Sequence, residues 1–358
     1  ADRALLDVVD LHLYGDHPEY PGRPWQPPAR FGNRSQLARR LKAPLELAPA
    51  RLFGKPFMVT EFDICYPNEF RSEGAVLFGA FAAQQGWSGL FRFDYAGHHR
   101  GLFGKPDLRC FETAHDPVRM LSERIGLAAF LRGDVATARE KFEIAVAPDC
   151  MGSYLPTYPD EYEQLALHGR VGTVLADANA GPAAPGPVRP GELAADYAAG
   201  TFRMVTPRSE AAVLPEKQAL AGAVLRVRAE RSFATVAAIA LDDRPLAESD
   251  RILLLHLTDN RLEGMEFKSG HGLTIYRDGS GRMLGRKGTA SFALALPEKT
   301  WKLHALDCSG RRLAEIPFRR EQGELRFTAD TFQVPDQVVF AYELTAQRRR
   351  NSARPVTR

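Results

Sequence analysis

Three short apolar runs, each ending in polar residues, dominate the pattern of the first hundred residues. They cover residues 5–14, 54–62 and 86–95. Between the second and third runs, apolar residues recur at helical spacing over residues 70–85. A strand, a helix and a second strand in this order are the unit from which parallel sheets are built. The pattern therefore predicts an α/β region at the start of the chain.

The pattern changes at residue 201, where short apolar runs alternate with turns rich in Gly, Pro and Asp. Residues 241–246 and 306–312 carry the turn chemistry that joins hairpin strands. Many short strands of this kind are typical of an antiparallel β-sandwich. The predicted strands cover residues 202–205, 223–227, 234–240, 251–257, 291–296, 301–306, 324–327 and 338–344.

Capping residues place the starts of two helices. Asp116 followed by Pro117 predicts a helix over residues 118–130, because an acidic N-cap and a proline in the first turn are both favoured. Residues 132–134 are expected to end this helix. Ser35 is interpreted as the N-cap of a helix over residues 36–41.

A length of 358 residues favours two or three domains. We expect the α/β region to occupy residues 1–140, a connecting segment with a loop to occupy residues 141–200, and the β-sandwich to occupy residues 201–346. The basic tail at residues 347–358 is expected to be a solvated, disordered terminus. The predicted fold class is thus α/β plus all-β.

Composition and charge exclude some classes of partner. Lys and Arg number 47 and Asp and Glu 44, so the formal charge is 47 − 44 = +3. This is too small to indicate nucleic acid or an anionic membrane as a partner. No apolar run reaches the roughly twenty residues that cross a bilayer.

The four cysteines, Cys65, Cys110, Cys150 and Cys308, lack the spacing of a metal site and are interpreted as thiols. His17, His98 and His99 have no carboxylates at ligand spacing, so no metal site is predicted. No cofactor is predicted either.

Glu61 is the first candidate for a catalytic residue. It follows the short apolar run 56–60 and is followed by the irregular residues 65–68. A carboxylate at the carboxyl end of a buried strand is where a (β/α)8 barrel keeps its chemistry. Aromatic residues after the first run, including Trp25, would lie at the same face, where their rings offer apolar surfaces to a ligand.

The order of three short motifs resembles a known family. The motifs are His12-Leu13-Tyr14, then Lys55-Pro56 leading to Thr60-Glu61, then Gln85-Gly86-Trp87 leading to residues 91–93. They look like strands six, seven and eight of a glycoside hydrolase of the large TIM-barrel clan. Residues 67–73 and 84–87 are similar to bacterial β-glycosidase-like proteins that carry a β-sandwich after the barrel.

The resemblance implies a role for each candidate residue. Glu61 would be the nucleophile, Tyr14 would hydrogen-bond its carboxylate, and His12 would lie beside it. From the residues alone, His12 and Tyr14 stay open between lining an active site and packing in a core, and Trp87 is assigned to the core. The expected substrate-binding residues are His12, Tyr14, Asp16, His17, Trp25, Asn68, Arg92, Asp94 and Tyr95.

The chain also departs from the family pattern. The clan's acid/base glutamate follows an asparagine on strand four, and Asn68-Glu69 comes after Glu61 and cannot fill that place. We therefore expect the chain to be the carboxyl-terminal part of a longer protein, a partial TIM barrel with the acid/base residue upstream. Because the native start is then not visible, localisation stays open, with secretion or a periplasmic location compatible with it.

Two functions follow from this sequence. The first is a retaining glycoside hydrolase acting on β-linked poly- or oligosaccharides, inactive as this isolated fragment. The second is a noncatalytic carbohydrate-binding or scaffolding protein with a barrel remnant. In either case the partner is a carbohydrate. The sandwich is expected to pack against the barrel, and Trp301 is the first residue to test if it binds sugar.

Overall fold

A computed structural model describes residues 2–103, 108–147, 165–181 and 191–347. Its helices are α1 (Asp2–Leu5), α2 (Lys42–Leu47), α3 (Gly74–Gln85), α4 (His99–Phe103) and α5 (Pro117–Phe130), with 3₁₀ turns at Ala48–Ala50 and Arg71–Glu73. Its strands are β1 (Val9–Asp16), β2 (Ala29–Phe31), β3 (Phe57–Ile64), β4 (Gly89–Arg92), β5 (Lys141–Val146), β6 (Arg170–Leu175), β7 (Leu193–Asp196), β8 (Thr201–Val205), β9 (Ser209–Leu214), β10 (Ala219–Ala221), β11 (Leu225–Arg231), β12 (Ala234–Ala240), β13 (Arg251–Leu257), β14 (Asn260–Leu262), β15 (Glu266–Ser269), β16 (Leu273–Arg277), β17 (Met283–Gly285), β18 (Thr289–Leu294), β19 (Trp301–Leu306), β20 (Arg312–Glu315), β21 (Arg319–Glu321), β22 (Glu324–Asp330) and β23 (Ala341–Ala346).

The three apolar runs at the start of the chain form a parallel sheet in the order β1-β3-β4. Val9 pairs with Phe57, and Met58 pairs with Gly89. Helix α3 connects β3 to β4 and covers one face of the sheet, where the rings of Phe62 and Phe78 stack at 4.5 Å. The parallel strands and the helix between them are therefore confirmed.

Helix α3 is buried along its whole length. One side packs on the parallel sheet, and the other packs on α5 and on an antiparallel sheet. The predicted start of α5 is confirmed, because the Asp116 side chain accepts hydrogen bonds from the backbone N–H groups of Val118 and Arg119. This cap satisfies two donors that a helix end leaves free.

Two antiparallel sheets make up most of the second half of the chain. The larger has the order β20-β19-β23-β13-β12-β9-β8-β7, and the smaller has the order β10-β11-β18-β22-β21. Val236 and Leu254 of the larger sheet share a core with Phe292 and Phe327 of the smaller. This arrangement is consistent with the expected β-sandwich, and all eight predicted strands are present. The larger sheet begins at Leu193, before the expected boundary at residue 201.

The central strands β9, β12 and β13 of the larger sheet are buried on both faces. Successive residues of a strand point to opposite sides, so Val236 faces the smaller sheet while Ala237 and Ile239 face α3 and α5. The helices therefore lie between the parallel sheet and the antiparallel sheets.

Two further pairings join segments that are distant in sequence. Strand β2 pairs with β16 of the β15–β16 hairpin, which inserts between β14 and β17. Within the expected connecting segment, β5 and β6 form a parallel pair, and Thr173 of β6 bridges to Leu52.

The helix expected over residues 36–41 is wrong. These residues form turns, and α2 begins only at Lys42, after Leu41 adopts a left-handed conformation with φ 59°. Ser35 still acts locally as a cap, since its Oγ accepts a hydrogen bond from the Leu37 N–H at 3.1 Å.

Cys65, Cys110 and Cys308 are free thiols. Cys150, residues 182–190 of the expected loop and the basic tail from residue 348 lie outside the described residues. Over the described ranges, none of the helices combines the length and the apolar character needed to cross a membrane.

Candidate functional site

Glu61 and Tyr14 meet on neighbouring parallel strands. The Tyr14 hydroxyl donates a 2.5 Å hydrogen bond to Glu61 Oε2. Burial raises the pKa of Tyr14 above its ordinary range, and the hydrogen bond to Glu61 raises it further. The phenol therefore stays protonated near neutral pH and remains a donor to the carboxylate.

His12 lies on the other side of the Glu61 carboxylate. Its Nδ1 is 3.5 Å from Glu61 Oε2, and its Nε2 is 2.9 Å from Thr60 Oγ1. The Thr60 hydroxyl donates to Asp10 at 2.6 Å, so Nε2 must supply the proton of the His12–Thr60 bond. Only the doubly protonated imidazolium would then pair favourably with Glu61.

These side chains share the face of the parallel sheet that α3 does not cover. On β1 the residues that pack towards α3 are Val9, Leu11 and Leu13, which leaves His12 and Tyr14 on the opposite face. An irregularity in β3 between Met58 and Glu61 brings Glu61 opposite His12. The side chain of Glu61 is 31% exposed and that of His12 is 46% exposed, so a ligand can reach both.

An aromatic pocket of about 530 Å³ lies beside Tyr14. The Tyr14 ring packs edge-on against Phe111 at 5.1 Å and Phe93 at 6.4 Å, and both rings line the pocket. Trp25 and Tyr20 add a further wall, with ring centroids 5.5 Å apart. Rings arranged in this way offer apolar surfaces to a ligand such as a sugar.

Two carboxylates approach each other at the rim of the aromatic pocket. A Cβ added to Gly97 would lie 3.3 Å from Glu112 Oε1 and 3.5 Å from Asp94 Oδ2. Burial and the Glu112 carboxylate raise the pKa of Asp94. Asp94 Oδ1 is buried without a hydrogen-bond partner in the described part of the chain.

Asp16 and Asn68 hold loops in place rather than facing the cleft. Asp16 Oδ1 accepts hydrogen bonds from the N–H groups of His17 and Gly32, and Oδ2 accepts from Asn33 N–H and Asn68 Nδ2. Asn68 is fully buried. Burial therefore corrects the assignment of Asn68 to substrate binding, whereas the substrate role of Asp16 stays a prediction.

Arg92 is also placed away from the cleft. Its guanidinium is 7% exposed, lies over the Phe62 ring and pairs with Asp63 and Glu123. It belongs to the side of the sheet that α3 and α5 cover, and its expected role in substrate binding is wrong for this reason. Tyr95 and Trp25 are well exposed, at 58% and 64%, and His17 is exposed beside Tyr14.

Trp87 and Trp301 have structural positions. Trp87 is buried against Phe57 at 5.4 Å, which confirms its assignment to the core. Trp301 is 5% exposed and donates a hydrogen bond from Nε1 to the Pro297 carbonyl. It cannot present a ring to a sugar in this position.

Some residues that reach the aromatic pocket from distant segments carry no functional pattern in the sequence. Phe111 and Glu112 come from the segment between β4 and α5, and Met265 and Ile275 come from the β15–β16 region. Their only signal in the sequence is an ordinary apolar or acidic side chain, so the long-range pairing of β2 with β16 was needed to find them.

No group of His, Cys, Asp and Glu side chains able to hold a metal occurs within the described ranges. Comparisons of the chain with protein-family models, with curated proteins and with solved structures find no match.

Proposed function

We propose that this chain belongs to a retaining glycoside hydrolase that acts on β-linked poly- or oligosaccharides, with residues 1–140 forming strands six to eight of a TIM barrel. The hydrogen bond between Tyr14 and Glu61 carries the proposal. It joins two neighbouring parallel strands on a face open to a ligand, beside a pocket with aromatic walls.

Glu61 is the nucleophile in this mechanism. Its carboxylate attacks the anomeric carbon while the leaving oxygen receives a proton from an acid, and water then hydrolyses the glycosyl-enzyme ester. Tyr14 binds Oε2 and orients the carboxylate, which leaves Oε1 as the attacking oxygen. The aromatic pocket holds a neighbouring sugar unit.

The family resemblance assigns the proton donor to an earlier barrel strand. Parallel sheets are ordinarily covered on both faces, whereas the face that carries Glu61 is open and Phe91 of β4 is 52% exposed. Strands that continue the sheet beyond β1 and close it into a barrel would enclose this face and bring a second carboxyl group to about 5–5.5 Å from Glu61, as retention requires.

A noncatalytic carbohydrate-binding protein is the second candidate. The aromatic pocket favours it, because Glu61 is not among the residues that line that pocket. Sugar binding there would not depend on catalysis.

The test is Glu61→Gln in the full-length protein, with exposed Glu248→Gln as the matched control. On a saccharide that the wild type cleaves, Glu61→Gln should lower turnover by several orders of magnitude with little change in the thermal midpoint. A 2-fluoro glycoside of the same sugar should label Glu61, as detected by peptide mass.

Near wild-type turnover in Glu61→Gln would eliminate Glu61 as nucleophile. A wild type that binds saccharides but cleaves none of them, with binding unchanged in Glu61→Gln, would favour the noncatalytic candidate.

A further inference from the structure

A second pocket lies across β2 from the aromatic pocket. Ala29 and Phe31 are buried and line the aromatic pocket, whereas Arg30 between them is exposed on the other side. Arg30 lines a cavity of about 380 Å³ together with Arg34 and Arg39, and we call this cavity the arginine pocket. Three guanidinium side chains at one small cavity suit an oxyanion.

Two of the three arginines are free to bind a ligand. Arg39 Nη1 donates a 2.8 Å hydrogen bond to the Gly15 carbonyl, which fixes that side chain at the wall. Arg30 and Arg34 are exposed, and their side chains have no ion pair with any described residue.

The lining also contains two carboxylates, those of Asp16 and Glu19. Asp16 is already saturated, because each of its oxygens accepts two N–H donors. Three arginines therefore face a single carboxylate with free acceptors, that of Glu19, and the pocket keeps an excess of positive donors.

His17 connects the arginine pocket to the candidate catalytic pair. It lines the pocket, and its ring packs edge-on against Tyr14 with centroids 5.5 Å apart. Tyr14 in turn donates to Glu61. One imidazole ring thus separates the arginine pocket from the Tyr14–Glu61 pair.

We propose that the arginine pocket binds the oxyanion of an acidic sugar unit, either a carboxylate or a sulfate ester, next to the unit held at Glu61. The identification of the ligand as a saccharide rests on the proposed function. The pocket is a compact site beside an aromatic cleft, and the whole chain carries a formal charge of only +3, which favours a single acidic group over a nucleic acid.

The experiment measures equilibrium binding by calorimetry to the full chain carrying Glu61→Gln, so that turnover does not interfere. The probes are a uronic acid oligosaccharide, a sulfated oligosaccharide and a neutral oligosaccharide of the same length, with inorganic sulfate as a fourth. The variants are Arg30→Gln, Arg34→Gln and their combination. Arg23→Gln is the matched control, because Arg23 is exposed and lies outside the pocket lining.

At least one acidic oligosaccharide should bind about tenfold more tightly than the neutral one, since a charge-assisted hydrogen bond contributes that much. The Arg30→Gln/Arg34→Gln protein should lose this preference, and Arg23→Gln should keep it. Preference for only the uronate or only the sulfated probe supports the proposal and identifies the oxyanion.

Equal binding of neutral and acidic probes overturns the proposal, as does an acidic preference that survives in the double variant. Binding of inorganic sulfate as tight as that of every acidic oligosaccharide also overturns it, because the site would then hold an adventitious ion only. Acidic preference in a protein that hydrolyses no glycoside keeps this inference and rejects the hydrolase. Hydrolysis of glycosides without a preference for acidic probes rejects this inference and keeps the hydrolase.

Discussion

The Tyr14 hydroxyl donates to Glu61 Oε2 at 2.5 Å across two adjacent parallel strands. Residue-to-residue pairing sets His12 beside Glu61 and Tyr14 beside Asp63, so this bond runs diagonally between the strands. The side chains of Tyr14 and Glu61 meet on one face of the sheet only in this register of β1 against β3. The hydrogen bond therefore depends on the β1–β3 pairing.

If the proposed hydrolase function holds, Tyr14→Phe should lower kcat by about 10- to 100-fold, because a hydrogen bond to a charged group contributes about 1.5–3 kcal/mol. The ring keeps its packing on Phe111, so the thermal midpoint should change little. Steady-state kinetics measure the effect, with exposed Tyr276→Phe as the control. An unchanged kcat would show that Tyr14 does not orient the nucleophile.

Gly79→Ala should destabilise the protein at the crossing of α3 and α5. A Cβ at Gly79 would lie 2.7 Å from Gly126 Cα, which is backbone and cannot move aside cheaply. Overpacking of this kind costs about 1–3 kcal/mol, whereas helix propensity alone would favour alanine by about 1 kcal/mol. The change in thermal midpoint of Gly79→Ala shows which of these two opposing effects is larger.

The matched control is Gly270→Ala, where an added Cβ meets no atom within 4 Å. Its midpoint should stay close to that of the wild type. A stabilised Gly79→Ala protein would show that the two helices are not in such close contact.

Arg71→Met should be strongly destabilising. The Arg71 guanidinium is fully buried and pairs with Asp116 at 2.7 Å and with Asp259 at 2.5 Å, which joins the start of α3 to the loop after β13. Removing one partner of a buried ion pair costs about 3–5 kcal/mol. The cost should lie at the lower end of this range, because Asp116 still pairs with Arg119 and Asp259 still pairs with Arg286. Urea unfolding should show a lower midpoint.

Exposed Arg311→Met is the control for Arg71, since Arg311 is 74% exposed and pairs with Asp307 at the surface. It should change stability by at most about 1 kcal/mol. An equal loss of stability in the two variants would show that burial does not set the contribution of Arg71.

Local patterns were sufficient to predict three strands of the parallel sheet, eight strands of the antiparallel sheets and the capped helix, but not the fully buried strand β9. The strands β1, β3 and β4 follow from continuous apolar runs, and Asp116 caps α5 through its own neighbours. The Tyr14–Glu61 contact agrees with what the family resemblance implied, because it needs only two adjacent strands.

Contacts between distant segments could not be predicted. Arg92 was assigned to the cleft because it ends an apolar strand, but burial beside Asp63 and Glu123 depends on where α5 packs. Trp301 was assigned a possible surface role, yet it packs in the sandwich core. The aromatic pocket required the β2–β16 pairing, which no short-range pattern encodes.

Glu73 should make stability fall as pH rises. It is fully buried, and burial raises its pKa from 4.5 to about 8 against the opposing hydrogen bonds from Gln36 N–H and Ser35. A raised carboxyl pKa means that the folded protein holds a proton that the unfolded chain loses above pH 4.5. The stabilising contribution of the Glu73 proton is therefore full below pH 4.5 and is lost as pH approaches 8.

Thermal midpoints at pH 5.5 and 8.5 should differ more for the wild type than for Glu73→Gln, which stays neutral and can keep both hydrogen-bond partners. Exposed Glu248→Gln, the control, should keep the wild-type difference, and a Glu73→Gln protein with the same pH dependence as the wild type would show that Glu73 is ionised throughout.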